Sequence, residues 1–545
     1  MRYSERVRPG HLRRLPYGCG VRLKADPREV RLKPDTTVFV QPEPLGISRR
    51  RFLQSAALLG LTRKSGRRLE GGFALESHEL GHRLRDGRLE TRTRQERRVP
   101  IVIVGGGIAG LSAGWRLLGR GFGDFSVLEM EREAGGNSRS GSNGVTAYPW
   151  AAHYVPVPGP DATLARELFD DLGVRVDGHW DERHLCHAPQ ERLFLHGRWQ
   201  AGFDPQVGPT RRDREQVQRF EDLMAAQKAG GTFKVPMGEV AASALDGMSM
   251  RAWLDREGLD SKWLAWLVDY GCRDDYGALS ADTSAWAGIH YFASRASEEV
   301  GPLTWPEGNA FITHRLLKRM GDRVVTGQVA SRIERRGARW QVMTPDTVWT
   351  ADAVIFAAPS FLASRIVEGA PASPDFVYSP WITANLTLDR WPAERGVPIA
   401  WDNVIVDSPS LGYVVATHQS LRTHIPETVW TYYWALAHGD PRQQRQWLLD
   451  QDWASLSTRI LDDLSRAHPD IRDAVTRLDI CRLGHAMIRP TPGFLSSPSR
   501  RALRRGLPRL FFAHSDVSGL SLFEEAQARG VEAADRAMQA LGGSG

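Results

Sequence analysis

The fold is decided by one stretch of sequence, Ile101-Val102-Ile103-Val104-Gly105-Gly106-Gly107-Ile108-Ala109-Gly110. Its first four residues are aliphatic and leave no polar face, which is typical of a strand buried on both sides of a parallel sheet. The glycines that follow have the spacing Gly-x-Gly-x-x-Gly. Together these features predict a strand, a tight turn and then a helix.

Each glycine of the turn has a separate physical task. Gly105 permits the tight turn, and Gly107 lets the backbone approach a pyrophosphate group. Gly110 lets the helix pack closely against the strand. The helix opens within this glycine-rich run and continues through Leu117 and Leu118, and the free N–H groups at its N-terminus favour a negatively charged ligand. Ile108 and Ala109 are the other cofactor-binding candidates of this turn. We therefore predict that these five residues bind a pyrophosphate.

A second strand, Phe125–Leu128, ends in the acidic residue Glu129, 19 positions after Gly110. An acid at this distance accepts hydrogen bonds from the hydroxyls of an adenosine ribose. The same carboxylate would repel a 2′-phosphate, which argues against NADP at this site. The strand, turn, helix and acid together predict a dinucleotide site in an α/β domain.

The acid is followed by Glu133-Ala134-Gly135-Gly136-Asn137-Ser138-Arg139. With this segment the sequence resembles the superfamily of flavin-containing amine oxidases and phytoene desaturases, whose first FAD segment combines Gly-x-Gly-x-x-Gly, an acid and a Gly-Gly pair. The resemblance implies a Rossmann-like FAD-binding domain interleaved with an α+β substrate-binding domain, and it places Gly136 near the pyrophosphate. Members usually carry Arg directly after the pair. Here Asn137 stands at that position, and Arg139 follows two residues later.

The C-terminal region favours FAD over NAD. An apolar strand, Leu510–Phe512, leads to the acid Asp516, and a helix begins at about Ser521. The resemblance implies that Asp516 lies near the ribityl-phosphate and that the backbone N–H groups of Leu522 and Phe523 meet the flavin ring. A positive helix end at that place stabilises negative charge on the reduced ring. The remaining FAD contacts implied by the resemblance are Ala152, Val329 (at the adenine) and Ala358.

Catalytic candidates also come from the resemblance. His153 and Tyr154 occupy the place where the superfamily's backbone passes the flavin, and His485 precedes the C-terminal flavin segment. Some amine oxidases attach FAD through a cysteine in that region, but Cys481 lies in a different context, so we predict non-covalent FAD. The polar run Cys272–Gly277 either reaches the substrate pocket or forms a solvated turn. No Cys or His cluster has the spacing of a metal site.

The same resemblance sets the expected domain boundaries. Residues 1–98 are expected to be a basic leader and a disordered linker. The FAD-binding domain is expected to be discontinuous, and the substrate-binding domain to cover the flavin. The expected FAD-binding segments are 99–160, 301–368 and 480–545, and the expected substrate-binding segments are 161–300 and 369–479. No run of about 18–20 apolar residues occurs, so a multi-pass membrane protein is excluded.

Charge divides the chain into two parts. Residues 1–100 hold 24 Lys and Arg against 11 Asp and Glu, so this part has a net charge of +13 and the remainder has −6. A folded nucleic-acid-binding domain is therefore disfavoured. The segment Ser48-Arg49-Arg50-Arg51-Phe52-Leu53-Gln54 and the short apolar stretch after it resemble a twin-arginine export signal. That resemblance implies a twin-arginine translocase as partner and a periplasmic location. An arginine-rich tail on a cytoplasmic protein is the alternative.

These features predict an FAD-dependent oxidoreductase of the amine oxidase type, which moves a hydride from a C–N or C–H bond of a small molecule to the flavin. Two alternatives stay open: an isoprenoid or carotenoid desaturase or isomerase, and a non-catalytic flavin-binding accessory protein. The lysines after residue 100 do not fall where amine oxidases hold a water near the flavin. Oxygen, a quinone and a redox carrier therefore all stay open as electron acceptors.

Overall fold

The computed structural model describes residues 68–542, apart from residues 76, 90, 91, 93, 241, 242, 295–300 and 423. The twin-arginine segment and Cys19 lie outside the described residues. Within the part of the chain that is described, no helix combines the length and the hydropathy needed to cross a bilayer.

The described residues form five sheets. Their strands, in chain order, are β1 Glu70–Ala74, β2 Gln95–Val104, β3 Phe125–Leu128, β4 Ser140–Ser142, β5 Ala147–Pro149, β6 Tyr154–Val155, β7 Arg175–Val176, β8 His179–Trp180, β9 Glu191–Leu195, β10 Arg198–Ala201, β11 Leu303–Thr304, β12 Val324–Val325, β13 Arg332–Arg336, β14 Arg339–Met343, β15 Thr347–Phe356, β16 Tyr378–Leu388, β17 Asp402–Ile405, β18 Gly412–Val415, β19 Thr428–Ala435, β20 Val475–Ile488 and β21 Leu510–Phe512.

The α-helices of the described residues are α1 His78–Arg85, α2 Ile108–Gly119, α3 Thr163–Asp171, α4 Arg211–Ala229, α5 Ala244–Gly247, α6 Met250–Arg256, α7 Lys262–Tyr276, α8 Ala285–Ala293, α9 Ala310–Met320, α10 Ala363–Ile366, α11 Pro441–Asp450, α12 Trp453–Ser465, α13 Ile471–Ala474, α14 Pro498–Arg505 and α15 Phe523–Gly542. The predicted strand, turn, helix and second strand are confirmed, since β2, α2 and β3 occur where the motif requires them.

The first sheet has the order β12-β3-β2-β15-β14-β13, with β21 paired to the end of β15. Its strands β12, β3, β2, β15 and β21 run parallel, so their carboxyl ends meet at one edge. Strand β3, which follows β2 in the chain, lies on one side of β2, and strand β15 lies on its other side. This order creates a crevice beyond the end of β2, the place where open α/β sheets bind ligands.

Apolar packing holds this sheet between two layers. Residues 101–103 of β2 have no exposed surface, as expected for a central parallel strand. On one face, residues of α2 and α15 join the β2 side chains of Ile101 and Ile103 in a single core cluster. The other face packs in a second cluster that contains residues of β14, β15 and β21. The predicted mixed α/β fold is thereby confirmed.

The second large sheet has the order β1-β20-β16-β19-β18-β17-β9-β10. Its long central strand β16 pairs antiparallel with both β19 and β20. Side chains alternate between its faces, so Ile382 joins a core shared with the helices α11 to α13, whereas Trp381 points to the opposite face and packs with Tyr433. Helices α4 and α6 to α8 contribute to a further apolar cluster.

Two segments differ from the expected boundaries. The disordered linker predicted within residues 1–98 is wrong for the residues that form β1, α1 and the start of β2, because these residues have regular structure and packed side chains. Residues 480–488, predicted to lie in the FAD-binding domain, continue strand β20 and pair with β16 in the second sheet. Strand β20 lies between the edge strand β1 and strand β16, and its last residue, Ile488, contacts Ser521 just before α15.

Candidate functional site

The crevice beyond β2 begins with a turn that only glycine allows. Gly105 has φ = 107°, and a Cβ atom on Gly110 would lie 1.9 Å from the Gly105 carbonyl oxygen. Helix α2 therefore starts directly against the strand end. Gly107 is its N-cap and provides no side-chain cap, so the N–H groups after it, from Ile108 and Ala109 onward, remain available to an anion.

The Gly-Gly segment lies opposite this helix start. A Cβ atom on Gly136 would lie 3.3 Å from the Gly107 Cα, and the Gly135 N–H donates to the Gly106 carbonyl at 2.8 Å. Gly136 and Asn137 are exposed, although the residues on either side, Gly135 and Ser138, are buried. The two glycine segments therefore pack directly against each other, and together they present a backbone surface without side chains beside the start of α2.

Glu129 stands at the end of β3, next to the turn. Its Oε2 accepts from the Gly106 N–H at 2.7 Å and its Oε1 accepts from the Glu131 N–H at 2.8 Å. Burial raises the pKa of Glu129, and the two backbone N–H groups oppose this shift. Both oxygens are therefore held in place by the backbone, as a ribose-binding carboxylate requires.

Val329 follows a segment that pairs with the Glu129 backbone. The Glu129 N–H donates to the Val325 carbonyl at 3.0 Å, and the Gln328 N–H donates to the Glu129 carbonyl at 2.8 Å. Ala358 lies on the other side of the turn, since a Cβ atom on Gly105 would lie 2.9 Å from the Ala358 nitrogen. Val329 and Ala358 belong to one apolar cluster. The structure thus brings both predicted cofactor contacts to the crevice.

The C-terminal segment closes the crevice from the far side. Asp516 is fully buried, and its Oδ2 accepts from the Ser360 N–H at 2.9 Å and from the Tyr378 hydroxyl at 2.8 Å. Burial alone would raise the pKa of Asp516, but the His514 ring, which lies 3.0 Å from its Oδ1, and these hydrogen bonds lower it overall. Asp516 therefore joins β16 to the first sheet as an ionised carboxylate. Its predicted contact with the ribityl-phosphate stays a prediction.

Leu522 and Phe523 lie at the start of α15, as the sequence predicts. Both residues are half-buried, and the Ile488 N–H at the end of β20 donates to the Ser521 hydroxyl at 2.9 Å. The start of the helix thus lies beside the end of β20. The predicted contact of the Leu522 and Phe523 N–H groups with the flavin ring stays a prediction.

Asn137 and Arg139 have different partners. The Asn137 Nδ2 donates to the Ala486 carbonyl on β20 at 3.2 Å, and its own carbonyl accepts from the Ala152 N–H at 2.9 Å. The Arg139 Nε donates to the Gly136 carbonyl at 3.0 Å. Asn137 therefore links the pyrophosphate segment to the two stretches predicted to flank the flavin, while Arg139 supports the turn itself.

His153 and Tyr154 lie in an aromatic cluster with residues of the second sheet. The His153 ring stacks on Tyr433 at 4.3 Å between ring centroids, and Trp401 lies 5.6 Å from His153 and 5.8 Å from Tyr154. Burial lowers the pKa of His153 to about 3, so the ring is neutral at ordinary pH. Its Nδ1 lies 3.4 Å from the Ala151 carbonyl, which favours the tautomer with a free lone pair on Nε2.

Two aspartates lie at the same cluster. The Tyr154 and Tyr291 hydroxyls donate to Asp274 Oδ2 at 3.2 and 3.4 Å. Burial, and after it the charge of Asp274, raises the pKa of Asp402 to about 8. The polar run Cys272–Gly277 therefore lies at the C-terminal end of helix α7 and its Asp274 reaches the aromatic cluster. It is not a solvated turn, since Arg273 and Asp275 are buried, and its place in a substrate pocket stays a prediction.

Asp402 was missed by the sequence analysis. It is the first residue of β17 and follows Trp401, and no motif marks it. Its partner Asp274 is 128 positions away, so only the pairing of the second sheet with helix α7 brings the two acids together. No local pattern of residues carries this information.

His485 packs against different residues from the other two catalytic candidates, His153 and Tyr154. Its ring stacks on Phe361 at 4.4 Å and meets the edge of Tyr378 at 5.7 Å. Burial lowers its pKa to about 4. By contrast, its neighbours Ala486 and Met487 pack in the cluster of Tyr154 and Trp401. The structure thus places His485 among groups that support Asp516.

The described residues contain no candidate metal site. Among the described residues, no group of three or more His, Cys, Asp or Glu side chains is arranged to hold a metal ion. Cys186, Cys272 and Cys481 are buried free thiols. Cys481 lies within β20, between β1 and β16.

Comparisons with known proteins agree with this architecture. A family model described as an NAD(P)-binding Rossmann-like domain matches residues 103–172, which include the glycine turn and Glu129. A search of curated proteins by sequence found no match. The first large sheet is thus part of a Rossmann-like dinucleotide-binding domain.

Solved structures share the complete two-domain fold. Putrescine oxidase bound to putrescine has 15% identity and a TM-score of 0.65, over 82% of this chain and 100% of that chain. Cyclohexylamine oxidase from Brevibacterium oxydans IH-35A has 15% identity and a TM-score of 0.60, over 82% and 99%. A CLA-producing fatty acid isomerase from P. acnes has 16% identity and a TM-score of 0.56, over 80% and 98%. At these identities the similarity establishes the fold.

Proposed function

We propose that the protein is an FAD-dependent oxidoreductase that oxidises a small amine at the carbon next to nitrogen. The observation that carries this proposal is the position of the aromatic cluster and its two aspartates. The Asn137 side chain and carbonyl hydrogen-bond to Ala486 and Ala152, so the pyrophosphate segment is tied directly to both sides of that cluster. A dinucleotide that follows this path reaches the pocket.

The residues that would hold FAD are those of the crevice. The start of α2 and the adjoining backbone of Gly107 and Gly136 suit the pyrophosphate, Glu129 suits the adenosine ribose, and the start of α15 suits the flavin ring. When bound, FAD accepts the hydride equivalent from the substrate carbon. Non-covalent FAD is proposed, because Cys481 is buried within β20, between β1 and β16.

The pocket residues have roles that follow from their chemistry. The faces of Tyr433 and Trp401 attract a cation, and a neutral His153 adds no positive charge to oppose it. As the hydride leaves, the substrate carbon becomes an iminium cation, which the ring faces and the charge of Asp274 stabilise. The Nε2 lone pair of His153 is an acceptor for an N–H group of the amine.

The aspartate pair favours a substrate with a second ammonium group. Without a ligand Asp402 keeps its proton at neutral pH, because burial and the nearby charge of Asp274 both oppose its ionisation. A bound ammonium group supplies a counter-charge and releases the proton. The pocket is therefore proposed to take a diamine or a longer polyamine, with one nitrogen at the aromatic cluster and another at Asp402.

The test is to add candidate substrates to FAD-loaded protein without oxygen and to follow the visible flavin absorbance. A diamine such as putrescine is expected to bleach it, and cyclohexylamine to bleach it only at higher concentration. The variant Asp402→Asn should need about tenfold more diamine, because a charge-assisted hydrogen bond worth about 1.5–3 kcal/mol is lost. The exposed control Asp346→Asn should behave as wild type. Failure of every amine to bleach the flavin would refute the proposed substrate class.

The alternatives predict other results in the same assay. Desaturation or isomerisation of an isoprenoid needs a long apolar tunnel, whereas this pocket contains Asp274 and Asp402. Bleaching or isomerisation of an apolar polyene, with no response to amines, would favour that reaction. A flavin that responds to neither class would favour an accessory protein.

Export by the twin-arginine route is a separate proposal, because Arg49 and Arg50 lie outside the described residues. A twin-arginine translocase carries folded proteins, which suits a chain that encloses a non-covalent cofactor. Cell fractionation of the wild type and of the double variant Arg49→Lys, Arg50→Lys tests it, with periplasmic protein expected only for the former. Oxygen, a quinone or a redox carrier is proposed as electron acceptor, and reoxidation rates with each distinguish them.

A further inference from the structure

The segment just before the Rossmann-like domain lies across the predicted adenosine end of the crevice. We call Glu70–Leu75 and Ser77–Arg85 the N-terminal strap. Its strand β1 is an edge strand of the second sheet and pairs in parallel with β20, from Glu70 opposite Arg477 to Ala74 opposite Cys481. The Arg482 guanidinium lies 3.8 Å from the ring centroid of Phe73. The strap is therefore fixed at its first end by the second sheet.

The second part of the strap crosses to the first sheet. Leu84 is buried and Leu80 is half-buried, and both belong to the apolar cluster that contains Met130, Val329 and Ala358. Since Val329 and Ala358 are predicted cofactor contacts, helix α1 packs on the groove that the dinucleotide follows. The strap thus joins the two sheets by passing over the crevice.

A hydrogen bond connects the strap to the ribose acid. The Ser77 hydroxyl donates to the Glu131 carboxylate, and the Glu131 N–H donates to Glu129 Oε1 at 2.8 Å. The strap is therefore two hydrogen bonds away from the carboxylate predicted to bind ribose. A movement of the strap would therefore also shift the Glu129 carboxylate.

Between the strap and the first sheet lies a cavity of about 700 Å³. One wall comes from the strap and contains Leu80 and Arg83, and the opposite wall contains Met130 and Val329. The volume is within the range of small-molecule sites. Charged side chains line much of the cavity besides these apolar ones: Glu79 and Arg83 from the strap, and Glu131, Arg132, Glu133 and Arg139 from the opposite side. A flat purine fits between Leu80 and the Met130–Val329 wall, and a guanidinium such as that of Arg83 stacks well on such a ring.

We propose that the N-terminal strap forms the outer wall of the adenosine site, so that Leu80 and Arg83 bind the adenosine part of the cofactor. This inference rests on the proposed use of FAD. It assigns a binding role to residues that precede the Rossmann-like domain and that the sequence analysis placed in a linker. The strap would then need to be folded onto the crevice for FAD to be retained.

The test measures binding of FAD to cofactor-free protein by the change in flavin fluorescence. Arg83→Ala and Leu80→Gln are each expected to raise the Kd for FAD about tenfold, while the matched control Arg88→Ala, whose guanidinium pairs with Asp86 outside the cavity, should leave it unchanged. Circular dichroism and the Tm of the cofactor-free variants show whether each is folded. Because Arg83 is exposed, its variant keeps the test valid should Leu80→Gln fail to fold.

A second readout uses trypsin, which cleaves after the arginines of α1. FAD is expected to slow cleavage at Arg83 and Arg85 at least fivefold, and ADP to do the same, because ADP carries the adenosine part. Equal FAD affinity in wild type and Arg83→Ala, or unchanged cleavage with FAD bound, would overturn the strap proposal and leave the proposed function intact. A wild-type protein that binds no FAD would overturn both.

Discussion

The contact between helix α2 and the glycine turn leads to a sharp prediction. In Gly110→Ala the new methyl carbon would lie 1.9 Å from the Gly105 carbonyl oxygen, whereas a normal contact needs about 3.4 Å. The helix must therefore move by about 1.5 Å or the turn must deform. Overpacking costs typically 1–3 kcal/mol, and because the partner here is rigid backbone we expect a loss near 3 kcal/mol. The displaced helix start should also weaken FAD binding by about a hundredfold.

Gly119→Ala is the matched control at the other end of the same helix. A Cβ atom at Gly119 meets nothing within 4 Å, and alanine is the better helix former by about 0.5–1 kcal/mol. Urea unfolding of the cofactor-free proteins measures both stability changes, and fluorescence titration measures FAD affinity. The expected result is opposite signs in stability, with FAD affinity reduced only for Gly110→Ala. Wild-type stability and affinity in Gly110→Ala would refute the close packing of turn and helix.

Three further outcomes are expected. Glu129→Ala should raise the Kd for FAD at least tenfold in a fluorescence titration, since the ribose loses its hydrogen-bond acceptor and two backbone N–H groups lose theirs. An unchanged Kd for FAD would refute the role of Glu129 in binding the ribose. The affinity for a diamine, measured by calorimetry, should rise about tenfold per pH unit from pH 6 toward 8 and then level, because Asp402 must lose a proton near pH 8 to bind a cation. The variant Asp402→Asn should remove this pH dependence. An equally steep pH profile in that variant would show that a different group causes it. Asp463→Ala should lower the free energy of unfolding, measured in urea, by about 3 kcal/mol, because the Ser408, Ser410 and Tyr432 hydroxyls all donate to Asp463 Oδ2 at 2.7 to 3.0 Å. A decrease below 1 kcal/mol would show that water replaces the carboxylate as the acceptor of these hydrogen bonds.

The dinucleotide crevice could be predicted because its signals are local. A strand, a glycine turn, a helix start and an acid lie within about 30 residues, and each has a physical requirement that few residue types satisfy. Gly105 needs a positive φ and Gly110 needs close backbone contact. The bounds of β3, Phe125–Leu128, agree with the sequence prediction, and α2 follows the glycine turn as expected.

The C-terminal segment could be placed only through resemblance to a known family. Asp516 and the start of α15 were predicted as cofactor contacts, and the structure brings them to the crevice through β21, which pairs with β15. The sequence alone does not show that Asp516 already accepts hydrogen bonds from Ser360 and Tyr378. Those partners come from two different segments more than 130 positions away.

The aromatic cluster with its two aspartates and the strap were decided by tertiary structure. Asp402 has no motif, and its raised pKa depends on burial and on Asp274, which a different helix supplies. The strap was predicted to be part of a disordered linker because it belongs to the basic N-terminal region of residues 1–98, yet pairing with β20 stabilises it as an added edge strand. Local sequence determines where a glycine turn and a helix start can form, because backbone geometry is local. Which side chains share a pocket depends on sheet order and strand register, and these are set by contacts between residues that are far apart in the chain.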